Sequence, residues 1–293
     1  MTDTESPRPV AGWSPEDAFG TSSIRWEPLV ADLAATALEA AQAAAAVIAG
    51  AEVTGVETKI SATDMVSDVD RRAETAVAQV VTARRPDDEV LGEEGTSRPG
   101  TSGIRWVVDP LDGTTNFLFS IPHYSVSIAA ERDGEPVAGV VIDPCRQEIW
   151  AATAGYGSFV NGRRCSVADG RSSLETALCA TGFGYRPERR RWQAEVLSQV
   201  LPRVRDIRRF GSAALDLCWV AGGRYDAYFE WGLNRWDRSA GLLIAAEAGA
   251  TVGVMGQRLV AAAPPSLFLA LCDLLEQAGA FDARPGPEPD DSL

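Results

Sequence analysis

The sequence predicts an α+β chain folded as two layered subdomains. Three observations point there: helical stretches come first, a run of antiparallel strands follows, and strands and helices alternate through the second half. Glu27 to Gly50 is alanine-rich, places Leu29, Leu33, Ala37 and Ala40 at helical spacing and ends on a glycine, the pattern of a long helix. Asp70 to Arg84 is a second helix, with Ala73, Val77 and Val80–Val81 inward and Pro86 just beyond it. Val90–Leu91 is strand-like, and Ile104 to Val108 is a short apolar strand. Tyr124 to Glu131, Pro136 to Ile142 and Glu148 to Ala152 read as antiparallel strands, with a turn at Asp133–Gly134. Strands are then expected at Ala177 to Thr181, Val204 to Arg209 and Tyr225 to Glu230. Helices are expected at Glu188 to Val200, Ser212 to Ala221, Asp237 to Ala248 and Pro264 to Ala278. The domain reading is a mobile arm over 1–25, an N-terminal α+β subdomain over 26–165, a C-terminal α/β subdomain over 166–283 and a tail over 284–293.

Composition excludes several functions. The formal net charge of −14 argues against nucleic acid as the main partner. The one long apolar stretch, Ala31 to Ala51, carries Asp32, Glu39 and Gln42 and reads as a soluble helix, so no membrane partner is expected. No basic region followed by an apolar core opens the chain, so no secretory signal is expected. The cysteines are five, scattered and without a Cys-x-x-Cys pair, which suits a reducing cytoplasm. With His123 the single histidine, a multi-histidine zinc site cannot be built. Any metal site must use oxygen ligands, which suit Mg²⁺, Mn²⁺ or Ca²⁺.

The strongest local signal is the run Asp109-Pro-Leu-Asp-Gly-Thr-Thr-Asn-Phe117. It follows a strand and opens a short helix, so Asp109 and Asp112 stand at a strand end beside the carbonyl of Leu111. The amides of Gly113 to Thr115 then face outward at a helix N-terminus, where phosphate oxygens bind well. Two look-alikes fail. A haloacid-dehalogenase-type phosphatase needs an aspartyl nucleophile where Pro110 stands, and an EF-hand loop needs a glutamate where Ser120 stands. Further acids cluster at Glu93–Glu94, at Asp64, Asp68 and Asp70, and at Asp237. Taken singly, Asp70 and Asp237 read as ordinary helix N-caps, Glu93–Glu94 as a solvated turn and His123 as structural.

Together these clusters resemble, in order and spacing, the inositol monophosphatase family over roughly residues 26 to 280. The matching pieces are Lys59 eleven residues before Asp70, Gly92-Glu-Glu-Gly95, Trp106 through Phe117, Pro122 through Ile128, Arg209 through Ala221, Asp226 through Gly232, and Trp236-Asp-Arg-Ser-Ala-Gly241. Thr181-Gly-Phe-Gly-Tyr185 and Arg205 through Asp216 look most like the actinobacterial inositol-1-monophosphatases. Ser239, where alanine is common in the family, departs slightly.

The resemblance implies the layered α-β-α-β-α sandwich of the sugar-phosphatase fold, a homodimer, sensitivity to lithium and two to three Mg²⁺ ions per subunit. It implies that Glu93, Asp109 and the Leu111 carbonyl hold one ion. Asp109, Asp112 and Asp237 hold a second, and a third sits near Glu93 through waters. It implies a water activated near Glu94, Asp70 and Thr114, with Lys59 easing the acidic pocket. Contacts to a small polyol phosphate fall to Glu93, Leu111, Asp112, Gly113, Thr114, Gly211, Ser212, Ala213, Glu230 and Asp237. The expected substrate is myo-inositol 1-phosphate. Histidinol phosphate, fructose 1,6-bisphosphate and 3′-phosphoadenosine 5′-phosphate are the rivals, because the metal motif reads only the phosphate. A regulatory protein that has lost catalysis is the rival of another class.

Overall fold

The computed structural model describes residues 12–20, 26–51, 56–58, 65–167, 173–256 and 258–281. Lys59 and Asp64 lie outside these residues. Five layers stack as α-β-α-β-α. The outer helical layer is α2 (Pro28–Ala49) and α3 (Asp68–Arg84), preceded by α1 (Pro15–Phe19), with a small antiparallel pair, β1 (Val56–Thr58) and β2 (Met65–Ser67), between the two helices in sequence. Beneath it lies an eight-stranded sheet of β3 (Glu89–Gly92), β4 (Ser97–Arg98), β5 (Ile104–Asp112), β6 (Ser125–Arg132), β7 (Glu135–Asp143), β8 (Glu148–Thr153), β9 (Gly157–Val160) and β10 (Arg163–Arg164). Its order is β10-β9-β8-β7-β6-β5-β3-β4, and only the β3–β5 pairing is parallel. The short α4 (Thr114–Leu118) connects β5 to β6.

The middle layer is α6 (Ala213–Ala221) and α7 (Arg235–Glu247). The second sheet runs β12 (Asp206–Arg208), β11 (Leu178–Thr181), β13 (Ala227–Trp231), β15 (Leu259–Ala263) and β14 (Thr251–Met255). Its first three strands are parallel and its last two antiparallel. The outer layer on this side is α5 (Pro187–Val200) and α8 (Pro265–Gln277).

Three cores fill the gaps, and strand alternation assigns residues to them. On β5, Trp106 and Val108 face α2 and α3 while Val107 faces the middle helices. On β13, Tyr228 faces the middle helices, whereas Ala227, Phe229 and Trp231 face α5 and α8. Among the described residues α2 is the one helix long and apolar enough to cross a membrane, but 56% of its apolar window is buried against the rest of the molecule. Its acids Asp32 and Glu39 pair with Arg84 and Arg85.

Two expectations change. Part of the stretch read as a mobile arm is docked: Ser14 caps α1, Phe19 is fully buried, and its ring meets Trp26 edge-on at 5.1 Å. A five-residue helix is too short to show periodicity, so its buried face is not visible in sequence. The interval between α7 and α8 holds β14 and β15, which the sequence reading left without strands. The alanines of Leu259–Ala263 carry little β-propensity, and burial of the whole strand decides its state.

Candidate active site

β5 continues past Val108 to Asp112, and its pairing with β6 shifts between Asp109 and Asp112. Such an irregularity re-aims side chains at a strand end. Asp109 is 1% exposed, and its Oδ1 accepts a bond from the Leu111 amide at 3.0 Å. Asp112 Oδ2 accepts from Ser212 Oγ at 2.6 Å and from the Ala214 amide at 2.9 Å. The N-terminus of α6, with its free amides and positive dipole end, thus holds one oxygen of this carboxylate. Gly113 caps α4 at φ 96°, and a β-carbon there would stand 3.2 Å from the carbonyls of Gly211 and His123. Only glycine lets the two loops meet at the site. Asn116 ties them further, donating to the carbonyls of His123 (2.7 Å) and Phe210 (2.6 Å).

The helix-entry acids are not N-caps. Ser67 caps α3 and Asn234 caps α7, and Asp70 and Asp237 are the third-position partners in capping boxes. Asp70 Oδ2 accepts from the Ser67 amide (2.9 Å) and hydroxyl (2.5 Å). Thr114 Oγ1 stands 2.9 Å from Asp70 Oδ1 and 3.1 Å from the Leu111 carbonyl, and donates to one or the other. Asp237 Oδ2 accepts from the Asn234 amide at 2.6 Å. The loop carrying Glu93 and Glu94 is anchored by the buried Glu74, which accepts from the amides of Glu94 and Thr96, both at 2.8 Å.

Glu93, Asp109, Leu111, Asp112, Gly113, Thr114, Gly211, Ala213, Glu230 and Asp237 line one cleft of about 320 Å³, which Tyr185, Arg186, Arg189 and Arg209 also line. Three expected residues are not among those that line it. Ser212 is fully buried, and its hydroxyl holds the Asp112 carboxylate. Asp70 lies behind Thr114 and reaches the cleft through that hydroxyl. The Glu94 side chain is not among the cleft-lining groups.

The acids perturb one another. Burial, then the charges of Glu93, Asp112 and Asp237, hold Asp109 well above the usual carboxylate range. Burial raises Asp112 to about 6 against its hydrogen bonds from Ser212 and Ala214. Burial, Glu93 and Asp112 push Asp237 well upward. Asp70 rises through burial, opposed by its bonds from Ser67 and Thr114. Glu230 is half-open to the cleft yet enclosed by protein, and burial lifts it to about 7 against the Tyr228 hydroxyl, which donates at 2.7 Å. A β-carbon on Gly182 would fall 2.0 Å from the Glu230 carboxylate, so any larger residue there would displace that carboxylate.

Among the described residues no three His, Cys, Asp or Glu side chains are arranged to hold a metal ion as they stand. Asp109, Asp112 and Asp237 each have an oxygen held by a hydrogen bond instead. The donor set nonetheless fits a hard divalent cation: one carbonyl and four carboxylates share a cleft, include no nitrogen or sulfur ligand, and raise one another's proton affinity. A cation offsets that repulsion.

His123 is 2% exposed and packs in one cluster with Phe210, tilted at 5.0 Å between ring centroids, and Trp219, edge-on at 5.4 Å. Burial lowers it to about 4, so it is a neutral packing ring at pH 7. Several residues escaped the sequence reading. Glu74 interrupts the apolar stripe of α3 one turn after Asp70, which is a visible signal. Asn116 lies inside the main motif. Asp216, buried and raised well upward by burial and by Glu230, has no local signature.

The profile of the inositol monophosphatase family matches residues 29–278. The chain belongs to the inositol monophosphatase family. It is therefore a phosphatase by family. Inositol-1-monophosphatase SuhB of Mycobacterium tuberculosis is 46% identical over 225 residues, spanning 71% of this chain and 77% of that protein. Nus factor SuhB of Pseudomonas aeruginosa is 44% identical over 201 residues, spanning 65% and 72%. Among solved structures, the extragenic suppressor protein suhB of Bartonella henselae superposes with a TM-score of 0.76 at 37% identity, covering 83% of this chain and 97% of that one. The structure of Mycobacterium tuberculosis SuhB gives 0.73 at 39% identity, covering 87% and 98%.

Proposed function

We propose that this family member is a Mg²⁺-dependent phosphomonoesterase that hydrolyses myo-inositol 1-phosphate. The observation that carries the reading is the convergence of Glu93, Asp109, Asp112 and Asp237 on one cleft that Glu230 also lines. Glu93, Asp109 and the Leu111 carbonyl would hold one ion, and Asp109, Asp112 and Asp237 a second, within a complement of two to three. Bound there, Mg²⁺ supplies positive charge for the phosphoryl and leaving oxygens and acidifies an attacking water. The chain's own groups do the positioning. The Gly113 and Thr114 amides, at the N-terminus of α4, would bind phosphate oxygens. Asp70 and Thr114, already hydrogen-bonded, orient the water and pass its proton outward, with Glu94 and Lys59 as further expected contributors. Glu230, Gly211 and Ala213 line the side of the cleft where the polyol ring would lie, so Glu230 accepts bonds from ring hydroxyls.

The catalytically idle regulator is disfavoured, because such a protein has no need of the complete set of buried like charges. Five cysteines without a disulfide support a reducing, cytoplasmic setting. A homodimer remains the expectation, checked by sedimentation. The deciding experiment is phosphate release from inositol 1-phosphate, histidinol phosphate, fructose 1,6-bisphosphate and 3′-phosphoadenosine 5′-phosphate, with Mg²⁺ and after chelation. Mg²⁺-dependent turnover fastest on inositol 1-phosphate is expected, with inhibition by Ca²⁺ and lithium. Full activity after exhaustive chelation overturns the reading.

A further inference from the structure

One buried charge stands outside this chemistry. Glu131, near the end of β6, is 1% exposed, and both its oxygens are taken by the first turns of α7. Arg235 donates to Oε2 at 2.9 Å and also to the Gly134 carbonyl at 2.6 Å. Ser239 Oγ donates to Oε1 at 2.8 Å from a position itself 6% exposed. Arg235 and Ser239 are four residues apart, one helical turn, and Asp237 lies between them on the same turn. On the side toward the site, Ser127 Oγ donates to the Trp236 carbonyl at 3.3 Å.

A single carboxylate bonded twice to one helical turn restricts both the rotation and the height of that turn. A buried ion pair contributes little net stability, because desolvation offsets attraction, but it penalises other registries of the helix on the sheet. The carboxylate whose placement would depend on this is Asp237, because the capping box with Asn234 ties it rigidly to the same turn.

We propose that Glu131, Arg235 and Ser239 form a buried clamp that positions Asp237 toward Asp109 and Asp112, and so sets the divalent-cation affinity of the site from behind. The clamp rests on the assignment of Asp237 as an ion ligand. All three are positioning residues. Ser239, the residue that departs from the family's usual alanine, is its second hydrogen bond.

The test is calorimetric titration of Mg²⁺ into the purified full chain, with melting temperatures recorded without metal. Ser239→Ala and Glu131→Gln should each weaken Mg²⁺ binding by about tenfold or more, the range typical of groups that orient metal ligands. Metal-free melting should fall more for Glu131→Gln, which leaves Arg235 without its carboxylate, than for Ser239→Ala, while the loss of Mg²⁺ affinity is similar in both and so does not track melting. KM at saturating Mg²⁺ should stay within about twofold, because substrate contacts are untouched. Ser239→Thr, which keeps the hydroxyl, should restore binding. Unchanged Mg²⁺ affinity in both variants overturns the clamp. So does a loss that tracks the fall in melting temperature, which marks a merely structural role. If the unaltered protein binds no Mg²⁺ at all, the ligand assignment itself fails and takes the clamp with it.

Discussion

Helices α3 and α7 enter the site by the same local device and deliver different chemistry. Each opens with a capping box, Ser67 with Asp70 and Asn234 with Asp237, and in each the aspartate accepts from the cap amide, at 2.9 and 2.6 Å. The difference lies in what the rest of the carboxylate meets. Asp70 meets the Thr114 hydroxyl, and its raised proton affinity comes chiefly from burial. Asp237 is likewise raised first by burial, but it meets in addition the charges of Glu93, Asp112 and Glu230. In the proposed reaction one acid orients a neutral molecule and the other balances a cation. A motif that ends in the same residue at the same helical position therefore does not specify a role. The groups across the cleft do.

The sharpest way to break the comparison is to neutralise each acid while keeping its cap. Asp237→Asn retains an acceptor for the Asn234 amide but removes a charge. It should lower kcat/KM by about 10³-fold, equivalent to roughly 4 kcal/mol of lost transition-state stabilisation, and weaken Mg²⁺ binding in parallel. Asp112→Asn should do the same with an unchanged circular dichroism spectrum, and a near-normal rate would reduce Asp112 to a turn residue. Asp70→Asn should cost about 10²-fold in kcat, the scale of a lost proton-handling group, while Mg²⁺ affinity stays near that of the unaltered protein. Equal losses of metal affinity in the Asp70 and Asp237 variants would erase the distinction.

Glu230 sharpens the contrast within the cleft, because it is assigned to the ring and not to the ions. Glu230→Gln should reduce kcat/KM on inositol 1-phosphate by roughly ten- to a hundredfold, matching about 1 to 3 kcal/mol for unpaired hydroxyls. Glycerol 2-phosphate, with fewer ring contacts, should suffer much less. Equal losses on both substrates would assign Glu230 to catalysis or structure.

The smallest effect concerns pH. Glu230 rises from an ordinary 4.5 to about 7 in the folded chain, so the native state holds its proton longer than the unfolded state does. Its contribution is fully present below about 4.5 and is lost as pH rises through 7. In chelator, the melting temperature should therefore fall between those limits, by roughly 2–4 °C for each kcal/mol in a chain of this size. Glu230→Gln should make that part of the profile less steep, the remaining slope coming from Asp112 and its raised neighbours, and an unchanged profile would show that Glu230 titrates normally.

The long helices and the β6–β8 meander were legible because their periodicity spans many residues. The helix over Glu27 to Gly50 appears as Pro28–Ala49, and the strand over Pro136 to Ile142 as Glu135–Asp143. Docking of α1 and the states of β14 and β15 were not legible, since short or alanine-rich segments take their conformation from what buries them.

What the sequence determined by itself was the chemistry available: oxygen ligands only, one histidine, and acids concentrated at strand ends and helix entries. Those follow from residue identity and spacing, which need no long-range contact. The tertiary structure alone decided which oxygens are free. Ser212, drawn from a loop one hundred residues away, occupies one oxygen of Asp112, and Glu131 grips the turn that carries Asp237. A carboxylate has the same local signature whether it faces a hydroxyl, a guanidinium or another carboxylate. Only the packing of distant elements brings that partner into place, and the partner determines its charge and its role.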